Sequence, residues 1–170
     1  MSADLTLSPW PLAVARRLVA GRLEAGDGAH WHPGYPLADT VDALSMVLGA
    51  HQAMGTLGSL PRWWVHEIRL QGQVVGDVGF HGPPLDGSLA GSGKAVVEIG
   101  YAVVPELRGA GIASRAVALL LDLAWRDGAT QVLAETDDDN AASQVVLARS
   151  GFRRRLSGDW ALARPPRGAG

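Results

Sequence analysis

The residues best suited to chemistry form one short run, Arg108-Gly109-Ala110-Gly111-Ile112-Ala113-Ser114. It lies between a stretch of β-formers and an apolar-periodic helix. The first N–H groups of a helix have no intrahelical partner and carry the positive end of its dipole. Two glycines without Cβ let a bulky anion reach that backbone, and Arg108 adds a permanent cation at the rim. A phosphate or pyrophosphate fits this chemistry; the competing reading is a plain strand-to-helix turn with two glycines. Other candidates are Glu98 on the preceding strand, and Asn140 and Ser143 at the start of a later helix. Each has a structural reading too: a surface glutamate, an N-cap, and a helix-start serine bonded to backbone. His30-Trp31-His32 offers two histidines at i, i+2 without a third ligand, a poor basis for a metal site.

Positioning that turn requires a strand at 98–104, ended by Pro105, and a helix from 114 stopped at Gly128. Ala113, Ala116, Val117, Leu120, Leu123 and Ala124 recur at three and four residues and give the helix one apolar face. Upstream, the patterns predict a strand at 4–7, a helix at 11–21, a loop at 26–36 and a helix at 37–48 with Gly49 just past it. A connector at 55–61 leads to a hairpin, 63–70 and 73–80, turning on Gln71-Gly72. A long loop at 81–93 returns to the central strand. Downstream come a strand at 131–136, a helix opened by Asp137-Asp138-Asp139-Asn140 and stopped by Gly151, strands at 152–156 and 160–163, and a frayed tail at 165–170. The order β-α-α-β-β-β-α-β-α-β-β describes an α/β protein, a mixed, mostly antiparallel sheet with helices on both faces. A right-handed βαβ crossover follows the central strand.

The 170 residues suit one domain spanning 1–170, with 47% apolar and 19% charged side chains, which excludes disorder as a class. A net charge of −2 gives no general attraction to nucleic acid or anionic membrane. The absence of cysteine removes disulfides, thiolate metal sites and a cysteine nucleophile, and fits a cytoplasmic location. Pro9-Trp10-Pro11 breaks the only early apolar run, so no secretory leader is expected. No run approaches the ~20 apolar residues of a membrane span.

Arg108-x-x-Gly111-x-Ala113 resembles the [Q/R]-x-x-G-x-[G/A] pyrophosphate loop of the GNAT superfamily, the acyl-CoA-dependent N-acetyltransferases. Asn140-Ala-Ala-Ser143 followed by Ser150-Gly151-Phe152 resembles the family's next helix and its exit. Together with Glu98-Ile99-Gly100-Tyr101 it is similar to the Rim-type branch, which includes acetyltransferases of ribosomal-protein N-termini. The matching motifs cover about 98–152, the cofactor core, while 1–90 matches in layout only, as the acceptor side.

The resemblance implies transfer of an acetyl group from acetyl-CoA to a primary amine by direct attack in a ternary complex. Arg108, Gly109, Ala110, Gly111, Ile112, Ala113 and Ser114 would hold the pyrophosphate. Backbone groups of Tyr101 and Val103 would pair with the pantetheine arm, and Asn140 would contact the cofactor. A backbone N–H near Val103 or Val104 would face the thioester oxygen. Glu98 would be the base. The tyrosine that many members carry seven residues after the asparagine is Leu147 here, so Ser143 or water would be the acid. Trp31, His32, Tyr35, Trp63, Phe80 and His81 would border the acceptor, a small-molecule amine or a protein N-terminus. No metal, membrane or nucleic-acid partner is implied, and the protein would be a monomer or homodimer.

Rival readings are weaker. Gly91-Ser92-Gly93-Lys94 lacks the opening glycine, the hydroxyl and the helix of a P-loop. Gly109-x-Gly111 approaches a dinucleotide fingerprint, but four residues separate it from the strand and too little chain follows. A non-catalytic acyl-CoA sensor or interaction module would keep the loop and lack proton-transfer groups. Six arginines after residue 148, Arg149 among them, read as a solvated face before they read as contacts to RNA or to a cofactor phosphate.

Overall fold

In the computed structural model, residues 4–58, 62–84 and 95–166 are described. The near-P-loop at 91–94, most of the 81–93 loop and the last four tail residues lie outside them. Seven strands form one sheet in the order β1-β2-β3-β4-β5-β7-β6. The elements are β1 (Leu5–Pro9), α1 (Leu12–Val19), α2 (Ala38–Ala53), β2 (Val65–Leu70), β3 (Gln73–Phe80), β4 (Val96–Val103), α3 (Ile112–Arg126), β5 (Gln131–Ala134), α4 (Ala141–Arg149), β6 (Arg153–Arg154) and β7 (Trp160–Ala163). The order is the one the sequence predicts. Only β4 and β5 run parallel, joined by the α3 crossover; the other neighbours are antiparallel.

The β2–β3 hairpin turns on Gln71 (φ 51°) and Gly72 (φ 85°), two left-handed residues in succession, as a two-residue turn matching strand twist requires. Strand β3 is buried without a break from Val74 to Phe80, so both faces of the sheet are covered. Asp77 bonds to Thr40 on α2, which puts α2 on the face of Asp77. Helix α3 packs on β1, β3 and β4 through Ile112, Ala116, Val117, Leu120, Leu121 and Ala124. Between the layers lie Val74, Val78, Phe80, Val97 and Ile99.

Several boundaries depart from the pattern reading: β4 starts at Val96, α3 starts at Ile112, β5 ends at Ala134 and β6 spans only Arg153–Arg154, and two further departures are at helix ends. Helix α2 runs through Gly49 to Ala53, and the left-handed residue that stops it is Gly55 (φ 64°). A mid-helix glycine costs only about 1 kcal/mol, and the extra turn seats His51, whose Nδ1 meets Thr56 Oγ1 at 2.8 Å and Nε2 meets the Trp63 carbonyl at 3.0 Å. Helix α4 opens after the three aspartates, not with them: Asn140 is its N-cap, accepting the Ser143 N–H at 3.0 Å.

Candidate active site

The sheet is split where the site lies. Strands β4 and β5 pair from Val96↔Gln131 to Ile99↔Ala134, after which β4 continues to Val103 without β5. The His81 N–H donates to the Glu98 carbonyl (3.0 Å) and the Val104 N–H to the Val75 carbonyl (2.9 Å). Backbone groups alternate along a strand, so even-numbered residues of β4 face β3 while Tyr101 and Val103 face the gap. The Val103 carbonyl accepts from Arg108 Nε at 2.9 Å. Of the two amides expected near a thioester, Val104 is therefore committed to β3, and the Val103 N–H is turned to the gap.

A groove of about 590 Å³ runs from the gap to the start of α3, lined among others by Tyr101, Val103, Arg108, Gly109, Gly111, Ile112, Ala113, Ser114, Asn140 and Ser143. Gly111 caps α3 in the left-handed region (φ 76°, ψ 7°), and no side chain caps the helix. A Cβ built on Gly111 would meet nothing within 4 Å, so the groove reaches the bare backbone. The N–H groups of Ile112, Ala113 and Ser114 are those of the uncapped first turn. Arg149 also borders the groove; exposed Ala110 does not.

A second cavity, about 430 Å³, opens on the α2 side of β4. Its lining includes Phe80, His81 and Gly100, and the carboxylates of Asp39, Asp42, Asp77, Glu135 and Asp137. The two spaces share Asp39, Tyr101, Ala102, Asn140 and Ser143. At that shared wall the Tyr101 hydroxyl lies 2.7 Å from Ser143 Oγ and 3.1 Å from the Ser143 carbonyl. Burial raises the Tyr101 phenol above its ordinary value, partly offset by its bond to Ser143, so it stays protonated near neutrality.

His81 Nδ1 is 3.0 Å from Glu98 Oε1. A carboxylate only accepts, so Nδ1 carries the hydrogen and, in the neutral ring, Nε2 carries the lone pair. Nε2 lies 2.6 Å from where a Cβ on residue 100 would stand; glycine there makes room for the imidazole over β4. Asp77, 3% exposed, accepts from Tyr35 Oη (3.1 Å) and Thr40 Oγ1, both on Oδ2. Burial pushes its carboxyl up to about 6 against those two bonds, with Asp39 adding to the rise.

Of the residues read from sequence, the loop set other than Ala110 gathers on the groove with Tyr101, Val103 and Asn140. Ser143 stands at the shared wall, and Glu98 stands behind His81 and does not itself line the second cavity. Phe80 and His81 line that cavity; Trp31, His32, Tyr35 and Trp63 do not. Trp31 and Tyr35 pack edge to face with Trp10 alongside, Trp63 meets Phe80 edge to face at 5.1 Å, and His32 Nδ1 accepts from the Gly34 N–H. Sequence reasoning missed the five carboxylates and the Tyr101 side chain. Asp137 carried a signal that pointed to the helix dipole, and Glu135 one that pointed to the rejected dinucleotide fingerprint. Among the described residues no three His, Cys, Asp or Glu are grouped to hold a metal, and no helix is long and apolar enough to cross a membrane.

The chain is similar in fold to several solved acetyltransferases. A RimL ribosomal L7/L12 α-N-protein acetyltransferase is 18% identical with a TM-score of 0.59, covering 96% of this chain and 92% of its own. The putative acetyltransferase yncA of Salmonella typhimurium, solved with acetyl-CoA, is 21% identical with a TM-score of 0.59, covering 98% and 96%. The aminoglycoside acetyltransferase AAC(6')-Ib, solved with coenzyme A, is 15% identical with a TM-score of 0.58, covering 95% of each. No curated protein matches by sequence. The family model of the acetyltransferase (GNAT) domain matches residues 4–153, nearly the whole described chain. With its split sheet, its uncapped helix start and that match, the chain belongs to the GNAT acetyltransferase family and is an acyltransferase enzyme.

Proposed function

We propose that the protein moves an acetyl group from acetyl-CoA to a primary amine by direct attack, with both substrates bound at once. The observation that carries this is the junction of two cavities at one wall, Tyr101, Ala102, Asn140 and Ser143. Acetyl-CoA, when bound, supplies an activated acetyl thioester. The uncapped start of α3 and Arg108 suit its pyrophosphate, and the β4 edge that β5 leaves uncovered, at the Tyr101 backbone and the Val103 N–H, suits its amide-rich arm as an added strand.

The Val103 N–H is the donor for negative charge developing on the thioester oxygen. His81 Nε2 takes the proton from the incoming ammonium, directly or through water, while Glu98 holds the ring and stabilises the imidazolium. The nitrogen then attacks the acetyl carbon, the N–C bond forms and the C–S bond breaks. Tyr101 and Ser143, two hydroxyls in contact, return a proton to the departing sulfur, and the nitrogen sheds its second proton to the resulting phenolate through water, leaving a neutral amide, the free thiol and the first proton on His81. Glu98 thus serves as a positioning residue for His81, and Tyr101 stands where the family's missing tyrosine leaves a need.

The test is turnover of labelled acetyl-CoA with a panel of amines, following free thiol and the mass gain of one acetyl group. An acetylated amine is expected. Tight CoA binding without transfer to any amine would favour a non-catalytic acyl-CoA-binding module instead.

A further inference from the structure

The second cavity is anionic beyond the needs of the reaction. Asp39 and Asp42 come from α2, Asp77 from β3, and Glu135 and Asp137 from the segment between β5 and α4; among the described residues no lysine or arginine lines the space. An attacking amine must be neutral, and carboxylates beside it would hold its proton and slow attack. Five carboxylates therefore serve a charge that stays positive through the reaction.

Asp77 shows where that charge sits. The residue is 3% exposed, yet it lines the cavity. Its Oδ2 takes both available donors, Tyr35 and Thr40. Its Oδ1 accepts from no described residue and is not among the fully occluded unpaired atoms. A buried carboxylate oxygen without a cation is costly unless a ligand supplies one. Glu67, opposite it on β2, is matched by Arg69 (Nη2 to Oε2, 2.5 Å), and among the described residues no cation pairs with Asp77.

We propose that the acceptor is a small di- or polyamine, with one protonated nitrogen seated on Asp77 and the rim aspartates of α2 while another reaches the Tyr101–Ser143 wall. This rests on the acetyl-transfer reading above. A neutral peptide N-terminus has only the nitrogen that reacts and leaves Asp77 unmatched.

The test compares 1,4-diaminobutane and spermidine with butylamine and with a neutral tripeptide, using the full chain and acetyl-CoA. The diamine and triamine are expected to exceed butylamine by about 10- to 100-fold in kcat/KM, the range of one charge-assisted contact, mostly through KM. That ratio should fall several-fold in Asp77→Asn and also in Asp42→Asn, an exposed rim change that leaves the core untouched. In parallel, spermidine binding to the CoA-saturated protein is measured by tryptophan fluorescence. Equal kcat/KM for butylamine and the diamine, preference for the tripeptide, or absence of spermidine binding would overturn the proposal. Preference for the tripeptide would overturn it while leaving acetyl transfer standing. Failure to bind CoA at all would remove both.

Discussion

Replacing Gly111 by valine isolates what the loop does. Gly111 sits at φ 76° with open space around a built Cβ, so the substitution meets strain but no clash. Left-handed backbone costs an L-residue about 1–2 kcal/mol, and more for a β-branched one. For a domain of this size, each kcal/mol lowers Tm by about 2–4 °C, so the variant should melt roughly 3–8 °C lower and still cooperatively. The valine methyls would project into the groove over the N–H groups of Ile112, Ala113 and Ser114. Losing two charge-assisted hydrogen bonds, at about 1.5–3 kcal/mol each, weakens CoA binding by at least ~100-fold. Gly111→Ala shares most of the strain and little of the bulk, and should lose less. Calorimetric titration with CoA, beside circular dichroism melts, reads both quantities. A Gly111→Val protein that binds CoA within threefold of wild type would refute the assignment of this helix start to the pyrophosphate.

The remaining predictions concern protons. Tyr101→Phe and Ser143→Ala should each lower kcat by about 10- to 100-fold with little change in CoA affinity; unchanged turnover in both would leave solvent as the proton source. His81→Gln should lower kcat by about 10²- to 10⁴-fold and Glu98→Gln by less, with little change in CoA affinity; turnover untouched by either change would discard the dyad. Asp77, with a folded pKa of about 6 against an ordinary 3.8, keeps its proton between pH 4 and 6 while the unfolded chain has lost it. Unfolding free energy should therefore fall as pH rises through that window and level off above 6. Asp77→Asn, whose amide oxygen still accepts from Tyr35 and Thr40, should remove the slope and be more stable near neutrality by up to about 3 kcal/mol. Parallel denaturation curves for the two proteins at pH 4.5 and 7 would contradict this.

The strand–turn–helix around Gly111 was legible because its signals are local: β-formers, a proline stop, bare backbone, then apolar residues at helical spacing. The β2–β3 hairpin was legible for the same reason, its turn residues lying next to each other. The second cavity was not. Asp39, Asp42, Asp77, Glu135 and Asp137 are scattered over nearly a hundred positions and gather only when α2 closes on β3 and β4. Tyr101 was read for its backbone, since nothing in its neighbourhood shows that α4 brings Ser143 to its hydroxyl. The aromatic residues misled in the opposite sense: Trp31, Tyr35 and Trp63 mark the packing beneath the cavity, with Tyr35 reaching it only through Asp77. Gly49 looked like a helix stop because glycine is common there, but the chain needed one more turn to seat His51.

The gap beside Tyr101 also divides the molecule mechanically. Among the described residues, four pairs, Val96↔Gln131 to Ile99↔Ala134, with the Thr130 N–H on the Ala95 carbonyl just before them, form the strand-to-strand seam between the β1–β4 half-sheet and the β5-β7-β6 half-sheet. A slender ligand lying in the gap, with its far end anchored on α3, acts as a strut across that seam. Amides of β5 and β7 should then exchange with solvent more slowly when the donor is bound, although none of them needs to touch it.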